Sequence, residues 1–363
     1  MLNANPVFVG MDLGTFKTSV ASSTGYRDVL PTAVGWPRDH VAKSLLGCDV
    51  VFGKDLAEHR LALDIVRPFE KGALKFVDGS AAGMSDAQIA RHAMATKLVI
   101  EHAVRRVCPD RDRPIYGVIG VPARASMTNK KFIMEAASAT FESVAIVSEP
   151  FTIAYGMNRL SDALIVDIGA GTIDLCPMYG TYTAEDQQVT ISMGGDHVDD
   201  EFERLLKKHF PEAQVSRNML REIKERFGFV SDIGEPAHVT LTVDGKPRTF
   251  DVSEPLKAAC RSIVEPIVQA VRGLIGRFDP EFQQRLRGNI ILGGGGSQLR
   301  GLDRLVEDSL KDYGGAKVSR VNDPNYAGAV GALRLAMGMP RDGWTQLKNQ
   351  AATASTATSM AAA

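Results

Sequence analysis

One strand-and-turn motif occurs twice in this chain. The first copy is Val9-Gly-Met-Asp-Leu-Gly-Thr15, and the second is Val166-Asp-Ile-Gly-Ala-Gly-Thr172. In each copy an apolar strand ends in Asp, one apolar residue and Gly, with Thr shortly after, and a second strand follows. Repetition of one unit within a chain indicates a duplicated domain. We therefore expect two related domains whose glycine turns face each other across a cleft.

The residue types in the two turns suit a polyphosphate. Glycine permits close backbone approach, so consecutive N–H groups can point at an anion, and Thr adds a hydroxyl donor. Lys17 could add a positive charge on the phosphates. Asp12 and Asp167 would lie near the phosphates, where a hydrated Mg²⁺ would offset the repulsion. Either hairpin alone is better explained as an ordinary β-turn; the matched pair favours phosphate binding.

A third glycine run, Leu292-Gly-Gly-Gly-Gly-Ser297, follows the short apolar strand that starts at Asn289. A flexible linker does not normally follow a buried strand, and bare backbone there would let an adenine ring or a phosphate lie close. A simple turn from a strand to a helix explains the same run equally well.

The remaining pattern is one of strands alternating with helices, which favours an α/β fold. It includes a hairpin around Asp244-Gly245, a helix over Asp199–Phe210 and a long helix over Leu256–Leu274 that Pro266 could kink. The tail from Ala351 contains only Ala, Thr, Ser and one Met, and we expect 343–363 to be disordered.

Charge and cysteine content narrow the function classes. The 363 residues carry 42 basic and 43 acidic side chains, so no overall field favours nucleic acid or an anionic membrane. Four isolated cysteines indicate a reducing cytoplasm rather than a disulfide scaffold or a structural zinc site. No signal peptide, membrane-spanning run or amphipathic N-terminal helix is recognisable, so direct membrane insertion is not expected.

Five segments in order resemble the superfamily of actin, heat-shock chaperone ATPases and sugar kinases, from Val7 to about Met337. The two hairpins resemble its phosphate motifs, and Gly294-Gly-Gly296 resembles its adenosine motif. Val147-Ser-Glu-Pro-Phe151 and the segment from Asp323-Pro324 to Gly331 resemble its two connecting segments. The resemblance implies an actin-like ATPase fold of two duplicated ribonuclease H-like domains with a nucleotide cleft between them.

The domain limits implied by this resemblance are as follows. Domain I spans 1–150, with an inserted subdomain at about 33–85, and a C-terminal helix at 326–340 returns to it. Domain II spans 151–325, with an inserted subdomain at about 190–257, and 343–363 form the disordered tail.

The resemblance also implies roles for individual residues. Glu149 would orient or deprotonate the attacking water, and Asp167 would assist in catalysis; Asp12 and Asp167 would hold Mg²⁺, through water. The start of a helix explains Glu149-Pro150 as well, and both explanations can hold. The residues implied in binding ATP or ADP are Asp12, Gly14, Thr15, Phe16, Lys17, Gly169, Ala170, Gly171, Thr172, Gly195, Lys224, Glu225, Gly294, Gly295, Gly296 and Gln298.

Within the superfamily, the chain is most similar to the bacterial actins that organise magnetosomes. The matching segments include Val118-Ile-Gly-Val-Pro-Ala-Arg-Ala125 and Gly294-Gly-Gly-Ser-Gln-Leu-Arg-Gly-Leu302. The similarity implies a cytoplasmic cytoskeletal filament along magnetosome chains, ATP hydrolysis on polymerisation, and partners that are other subunits and magnetosome-associated proteins. Phe16 departs from the pattern, because smaller residues are usual there. A cell-shape or plasmid-partitioning actin, a small-molecule kinase and a peptide-binding chaperone are the alternatives.

Overall fold

The computed structural model describes residues 5–76, 83–110, 112–231 and 236–348. The chain divides into two units, which are described separately. Unit 1 comprises Met1–Asn158 and Asn325–Ala363, and unit 2 comprises Arg159–Pro324. No helix among the described residues is both long enough and apolar enough to cross a membrane.

Both units are built from strands and helices in alternation. The strands are β1 Val7–Leu13, β2 Lys17–Ser22, β3 Arg27–Pro31, β4 Val34–Pro37, β5 Leu63–Val66, β6 Phe69–Glu70, β7 Ala73–Leu74, β8 Ile115–Val121, β9 Ser143–Ser148, β10 Ser161–Ile168, β11 Ile173–Tyr179, β12 Val189–Ile191, β13 His238–Val243, β14 Lys246–Asp251, β15 Ile290–Gly293 and β16 Val318–Arg320. The helices are α1 His40–Leu46, α2 Asp55–Glu58, α3 Asp86–Val107, α4 Met127–Ala137, α5 Glu149–Gly156, α6 Gly195–His209, α7 Arg217–Phe227, α8 Ser253–Arg261, α9 Val264–Ile275, α10 Pro280–Arg287, α11 Leu302–Ser309 and α12 Ala327–Gly338.

Each unit contains one five-stranded sheet, and the two sheets have the same topology. Their strand orders are β3-β2-β1-β8-β9 and β12-β11-β10-β15-β16. In each sheet the first two strands form an antiparallel hairpin, and the first also pairs in parallel with a later strand. The repeated sequence motif therefore corresponds to a repeated structural unit.

The central strands are apolar because both sheet faces are covered. All seven residues of β8 are buried, and six of the eight residues of β10 are. In unit 1, α3 packs its buried face, which includes Val99, Ile100 and Val104, into one core. Helix α12 packs on a second cluster that contains Val118 and Ala332. Strands buried on both faces are typical of α/β sheets, and they hold the turns at their ends in fixed positions.

Several predicted elements differ from the structure in their limits. The Asp244-Gly245 hairpin is present, with both turn residues at positive φ. The predicted helix over Asp199–Phe210 begins earlier, at Gly195. The predicted long kinked helix is two helices, α8 and α9, separated at Ser262-Ile263.

The C-terminal segment is partly ordered. Residues 341–348 are helical, and Trp344 is buried beside Phe8 and Tyr116. The aromatic contact buries enough apolar surface to order this stretch, so the prediction of disorder from 343 onward is wrong for 343–348. The rest of the predicted tail, 349–363, lies outside the described residues.

Candidate functional site

The turn between β1 and β2 is held in place by Thr32. The Thr32 hydroxyl donates to the carbonyl of Gly14 at 2.8 Å, and its backbone N–H donates to the carbonyl of Phe16 at 2.8 Å. A Cβ on Gly14 would lie 2.7 Å from the carbonyl oxygen of Lys17, so the tight turn requires glycine here. The sequence analysis did not identify Thr32 as part of this turn.

Two residues of the first turn contact the segment that follows β5. The N–H of Gly72 donates to the Thr15 hydroxyl at 3.1 Å, and this hydroxyl can still donate its own proton. The guanidinium of Arg67 lies 4.5 Å from the centre of the Phe16 ring. The unusual aromatic in this turn is therefore a cation–π partner. Lys17 is exposed at the start of β2.

Asp12 and Glu149 lie side by side in unit 1. Asp12 is near the end of β1, and Glu149 is the first residue of α5 and only 7% exposed. Burial raises the pKa of the Asp12 carboxyl to about 6, and a hydrogen bond with the Glu149 side chain opposes the rise. Two carboxyl groups in contact must share a proton or be bridged by a cation. The amino end of α5 favours negative charge on Glu149.

In unit 2 the turn between β10 and β11 is closed by a hydrogen bond from the N–H of Gly169 to the carbonyl of Thr172 at 2.9 Å. The Thr172 hydroxyl donates to Asp174 at 2.8 Å, and Thr190 of β12 donates to the other oxygen of the same carboxylate. The proton that Thr172 was expected to offer to a phosphate is therefore directed to Asp174. Phosphate binding by this residue stays a prediction, for which the Thr172 hydroxyl would have to rotate.

Asp174 is a residue that the sequence analysis missed. It is 1% exposed, within the otherwise apolar segment Ile173-Asp-Leu-Cys176. A carboxylate buried inside an apolar strand is rare unless it is hydrogen-bonded. This break in the pattern is the signal that could have identified Asp174.

The first turn of α6 caps the second hairpin turn. The N–H of Gly195 donates to the carbonyl of Gly169 at 3.0 Å, and the N–H of Asp196 donates to the carbonyl of Ala170 at 2.8 Å. A Cβ on Gly194 would lie 2.6 Å from both of these carbonyl oxygens, which leaves room only for glycine. The predicted site residue Gly195 thus lies directly against the turn.

The glycine run after β15 lies against the end of β10. Asp167, which is 6% exposed, is the register partner of Gly293. Gly294 has φ +69, and a Cβ there would lie 2.4 Å from a carboxylate oxygen of Asp167. A Cβ on Gly296 would lie 2.2 Å from the side chain of Ile168. Gly294 and Gly296 are therefore packed backbone, whereas Gly295 is exposed and a Cβ there would meet nothing within 4 Å.

The residues predicted to contact the nucleoside differ in their surroundings. Lys224 of α7 donates to the carbonyl of Gly195 at 2.6 Å and pairs with Asp199 at 2.7 Å. Burial raises the pKa of Asp199, while Lys224 and Arg221 oppose the rise. Glu225 and Gln298 are exposed. A direct contact between any of these side chains and a nucleoside stays a prediction.

Each unit thus gathers its own set of predicted residues. Unit 1 brings together Asp12, the turn Gly14–Lys17 and Glu149 at one end of its sheet. Unit 2 brings together Asp167, the turn Gly169–Thr172, the start of α6, Lys224 and the glycine run Gly294–Gly296. Joint action of the two sets on one nucleotide is a prediction.

The chemistry of these carboxylates fits a hydrated divalent cation. Oxygen ligands are those that Mg²⁺ prefers, and the contact between Asp12 and Glu149 concentrates negative charge. Within the described part of the chain, no three or more His, Cys, Asp or Glu side chains form a metal-binding group. Binding of Mg²⁺ by Asp12 and Asp167 through water stays a prediction.

Comparison with known proteins identifies the family. The model of the MreB/Mbl protein family matches residues 7–341. This chain belongs to the MreB/Mbl family. It is 38% identical, over 94% of its length and 96% of the relative's, to the actin-like protein MamK of Paramagnetospirillum magneticum.

Solved structures of MamK are also similar. A MamK double helical filament superimposes with a TM-score of 0.86 at 38% identity, covering 93% of this chain and 100% of the other. A non-polymerising MamK mutant bound to AMPPNP gives a TM-score of 0.69 at 38% identity, covering 92% and 99%. The predicted actin-like fold and the predicted similarity to a bacterial actin-like protein are confirmed.

Proposed function

We propose that this member of the MreB/Mbl family is a cytoskeletal ATPase that assembles with its own copies into filaments and organises and positions magnetosomes. The observation that carries the proposal is the pair of Asp-Gly-Thr turns, one in each unit, on sheets of identical strand order. Relatives that carry the name MamK, one solved as a filament and one with AMPPNP, support it.

Each turn contributes to binding one ATP in this proposal. The first turn offers the N–H groups of Gly14–Lys17 and the Thr15 hydroxyl, which keeps its proton for a phosphate. The second offers the N–H groups of Ala170, Gly171 and Thr172, while the Gly169 N–H closes the turn and hydrogen bonds from α6 fix its shape. The glycine run Gly294–Gly296, with Gln298 and Glu225, lies against the adenosine, and Lys224 supports that end from the Gly195 carbonyl.

Hydrolysis requires a group that orients the attacking water. Glu149 takes this role because it is a buried carboxylate at the amino end of α5, beside Asp12. Asp12 and Asp167 would hold Mg²⁺ through water, and the bound cation would offset the charge that develops on the phosphates. A positioned general base contributes roughly 10²–10⁴-fold to the rate of such a step.

Subunit contacts complete the site in this proposal. Assembly stabilises one arrangement of the two units, and phosphate loss favours another, so polymerisation and hydrolysis are linked. Association with magnetosomes takes place in the cytoplasm through partner proteins.

The test is sedimentation and negative-stain electron microscopy of the purified chain with MgATP, with MgADP and with EDTA. We expect filaments that pellet with MgATP and that release phosphate as they form. Saturable ATP binding without any assembly would overturn the filament assignment. ADP release stimulated by a sugar, without pelleting, would instead indicate a small-molecule kinase. A fluorescent fusion in a magnetosome-forming host should lie along the magnetosome chain, and a diffuse signal would contradict that role.

A further inference from the structure

Asp199 is a buried carboxylate to which the proposed function assigns no role. It lies on α6 and is 1% exposed. Burying a carboxylate is costly unless cations and hydrogen bonds compensate. Two cations of α7 do so here: Nζ of Lys224 lies 2.7 Å from Oδ1 of Asp199, and Nε of Arg221 lies 3.5 Å from Oδ2.

The same two cations also reach the first turn of α6. Lys224 donates to the carbonyl of Gly195 at 2.6 Å, and Arg221 contacts the carboxylate of Asp196 at 3.1 Å. Lys224 and Arg221 are three residues apart and share one face of α7. Asp199 therefore lies at the centre of a cluster of two acidic and two basic groups, in which their charges balance.

This cluster continues into the phosphate turn of unit 2 through backbone hydrogen bonds. Gly195 and Asp196, which Lys224 and Arg221 hold, donate their N–H groups to the carbonyls of Gly169 and Ala170. The first N–H groups of a helix have no partners within the helix, so these two bonds fix the turn to the helix. The line of contacts runs from Asp199 to Lys224 and Arg221, from these to the first turn of α6, and from there to the turn Gly169–Thr172.

We propose that Asp199 is a positioning residue for nucleotide binding: it holds Lys224 on the Gly195 carbonyl and so keeps the turn Gly169–Thr172 in its binding shape. This inference rests on the proposed binding of ATP. Lys224 then acts on the nucleotide through Gly195. Without Asp199, Lys224 and Arg221 are two close cations with no central anion, and their repulsion moves Lys224 away.

The experiment uses Asp199→Asn, Lys224→Met and the double variant, with Glu201→Gln as the matched control. Glu201 lies on the same helix but pairs with the exposed Arg204. Hydrogen exchange of the nucleotide-free chain comes first, because it needs no ligand. In D199N and K224M we expect exchange of the Gly195 and Asp196 amides to rise about tenfold, as for loss of one charge-assisted hydrogen bond. In E201Q these amides should exchange as in the unsubstituted chain.

Binding of MgATP, measured by isothermal titration calorimetry, is the second readout. D199N and K224M should each weaken binding of MgATP by about tenfold. The double variant should bind no more weakly than the weaker single variant, because both substitutions disrupt the same contact between Lys224 and the Gly195 carbonyl. Two results would contradict the inference, because each would show that Lys224 contacts the nucleotide independently of Asp199. In the first, the losses of affinity in the two single variants multiply in the double variant. In the second, K224M binds MgATP weakly although hydrogen exchange at Gly195 is unchanged.

The remaining outcomes separate this inference from the proposed function. Normal MgATP binding by D199N would overturn the inference alone, whereas absence of binding by the unsubstituted chain would overturn the proposed function and the inference with it. If D199N does not fold, Lys224→Met and Arg221→Gln decide the matter. The inference requires K224M to weaken binding and raise exchange at Gly195 more than R221Q, and equal effects would contradict it.

Discussion

Substitution of alanine for glycine at two helical positions should change the stability of the protein in opposite directions. Gly331 lies inside α12, where a Cβ would be 1.8 Å from the carbonyl oxygen of Thr152 in α5. Gly273 lies inside α9, where a Cβ would meet nothing within 4 Å. Replacing either glycine by alanine favours the helix by about 0.4–1 kcal/mol, because alanine restricts the unfolded chain and is the better helix former. Only their surroundings differ.

The cost at Gly331 comes from backbone that cannot rotate away. Both sides of α12 are closed by glycines, since a Cβ on Gly156 would lie 2.8 Å from Gly331 and one on Gly10 would lie 2.1 Å from Leu333. Overpacking of a well-packed core costs about 1–3 kcal/mol. We expect Gly331→Ala to lower the free energy of unfolding by about 1–2 kcal/mol, with the gain in helix propensity included. Gly273→Ala should raise the free energy of unfolding by about 0.4–1 kcal/mol.

Urea unfolding of the nucleotide-free chain, followed by two probes, measures these changes. Both tryptophans, Trp36 and Trp344, lie in unit 1, so their fluorescence follows that unit, whereas far-ultraviolet circular dichroism follows both units. Gly331→Ala should lower the fluorescence midpoint, and Gly273→Ala should raise the dichroism midpoint. Equal or higher stability of Gly331→Ala would mean that α12 and α5 separate at little cost, and the close-packing argument would be refuted.

Three further predictions concern single side chains. Glu149→Ala should bind MgATP normally and release phosphate about 10²–10⁴-fold more slowly, and unchanged release would remove Glu149 from the mechanism. A double-mutant cycle of Phe16→Leu and Arg67→Met should give a coupling energy of about 0.5–2 kcal/mol in urea unfolding, and additive effects would contradict a cation–π contact. Burial raises the pKa of Cys176 to about 12 and that of Cys260 to about 11, so at pH 8 both thiols stay protonated and unreactive. After brief iodoacetamide treatment of the folded protein, mass spectrometry should therefore find Cys48 modified, and Cys108, Cys176 and Cys260 should be modified only after unfolding. Modification of Cys176 in the folded protein would contradict its burial.

The turns could be predicted from sequence because their chemistry is local. Gly14 and Gly169 follow an aspartate-ended strand in both hairpins, and Asp244-Gly245 supplies the positive φ values that a tight hairpin needs. The contact made by Thr32 and the hydrogen-bond partners of Asp174 could not be assigned in this way. Thr32 reaches the first turn from beyond the end of β3, and Asp174 joins Thr172 to Thr190 on a neighbouring strand.

The division between α8 and α9 shows how a local rule can be applied at the wrong residue. A kink was predicted at Pro266, yet Pro266 is in the first turn of α9, where it is tolerated. Proline has no N–H to donate to the carbonyl four residues earlier, and its ring crowds that carbonyl, which belongs to Ser262. The helix therefore ends at Arg261, five residues before the position that the prediction chose.

The start of α6 depends on contacts that sequence alone does not reveal. The N-cap residue is Gly194, which has no side chain to bond the first N–H groups, and the apolar pattern placed the start near Asp199. The helix begins at Gly195 because the carbonyls of Gly169 and Ala170, far away in sequence, accept its first N–H groups. The cap of α6 is supplied by the turn Gly169–Thr172, so we expect the helix to shift when that turn changes shape. The same bonds that made the boundary unpredictable are therefore those through which a bound nucleotide would act on α6 and α7.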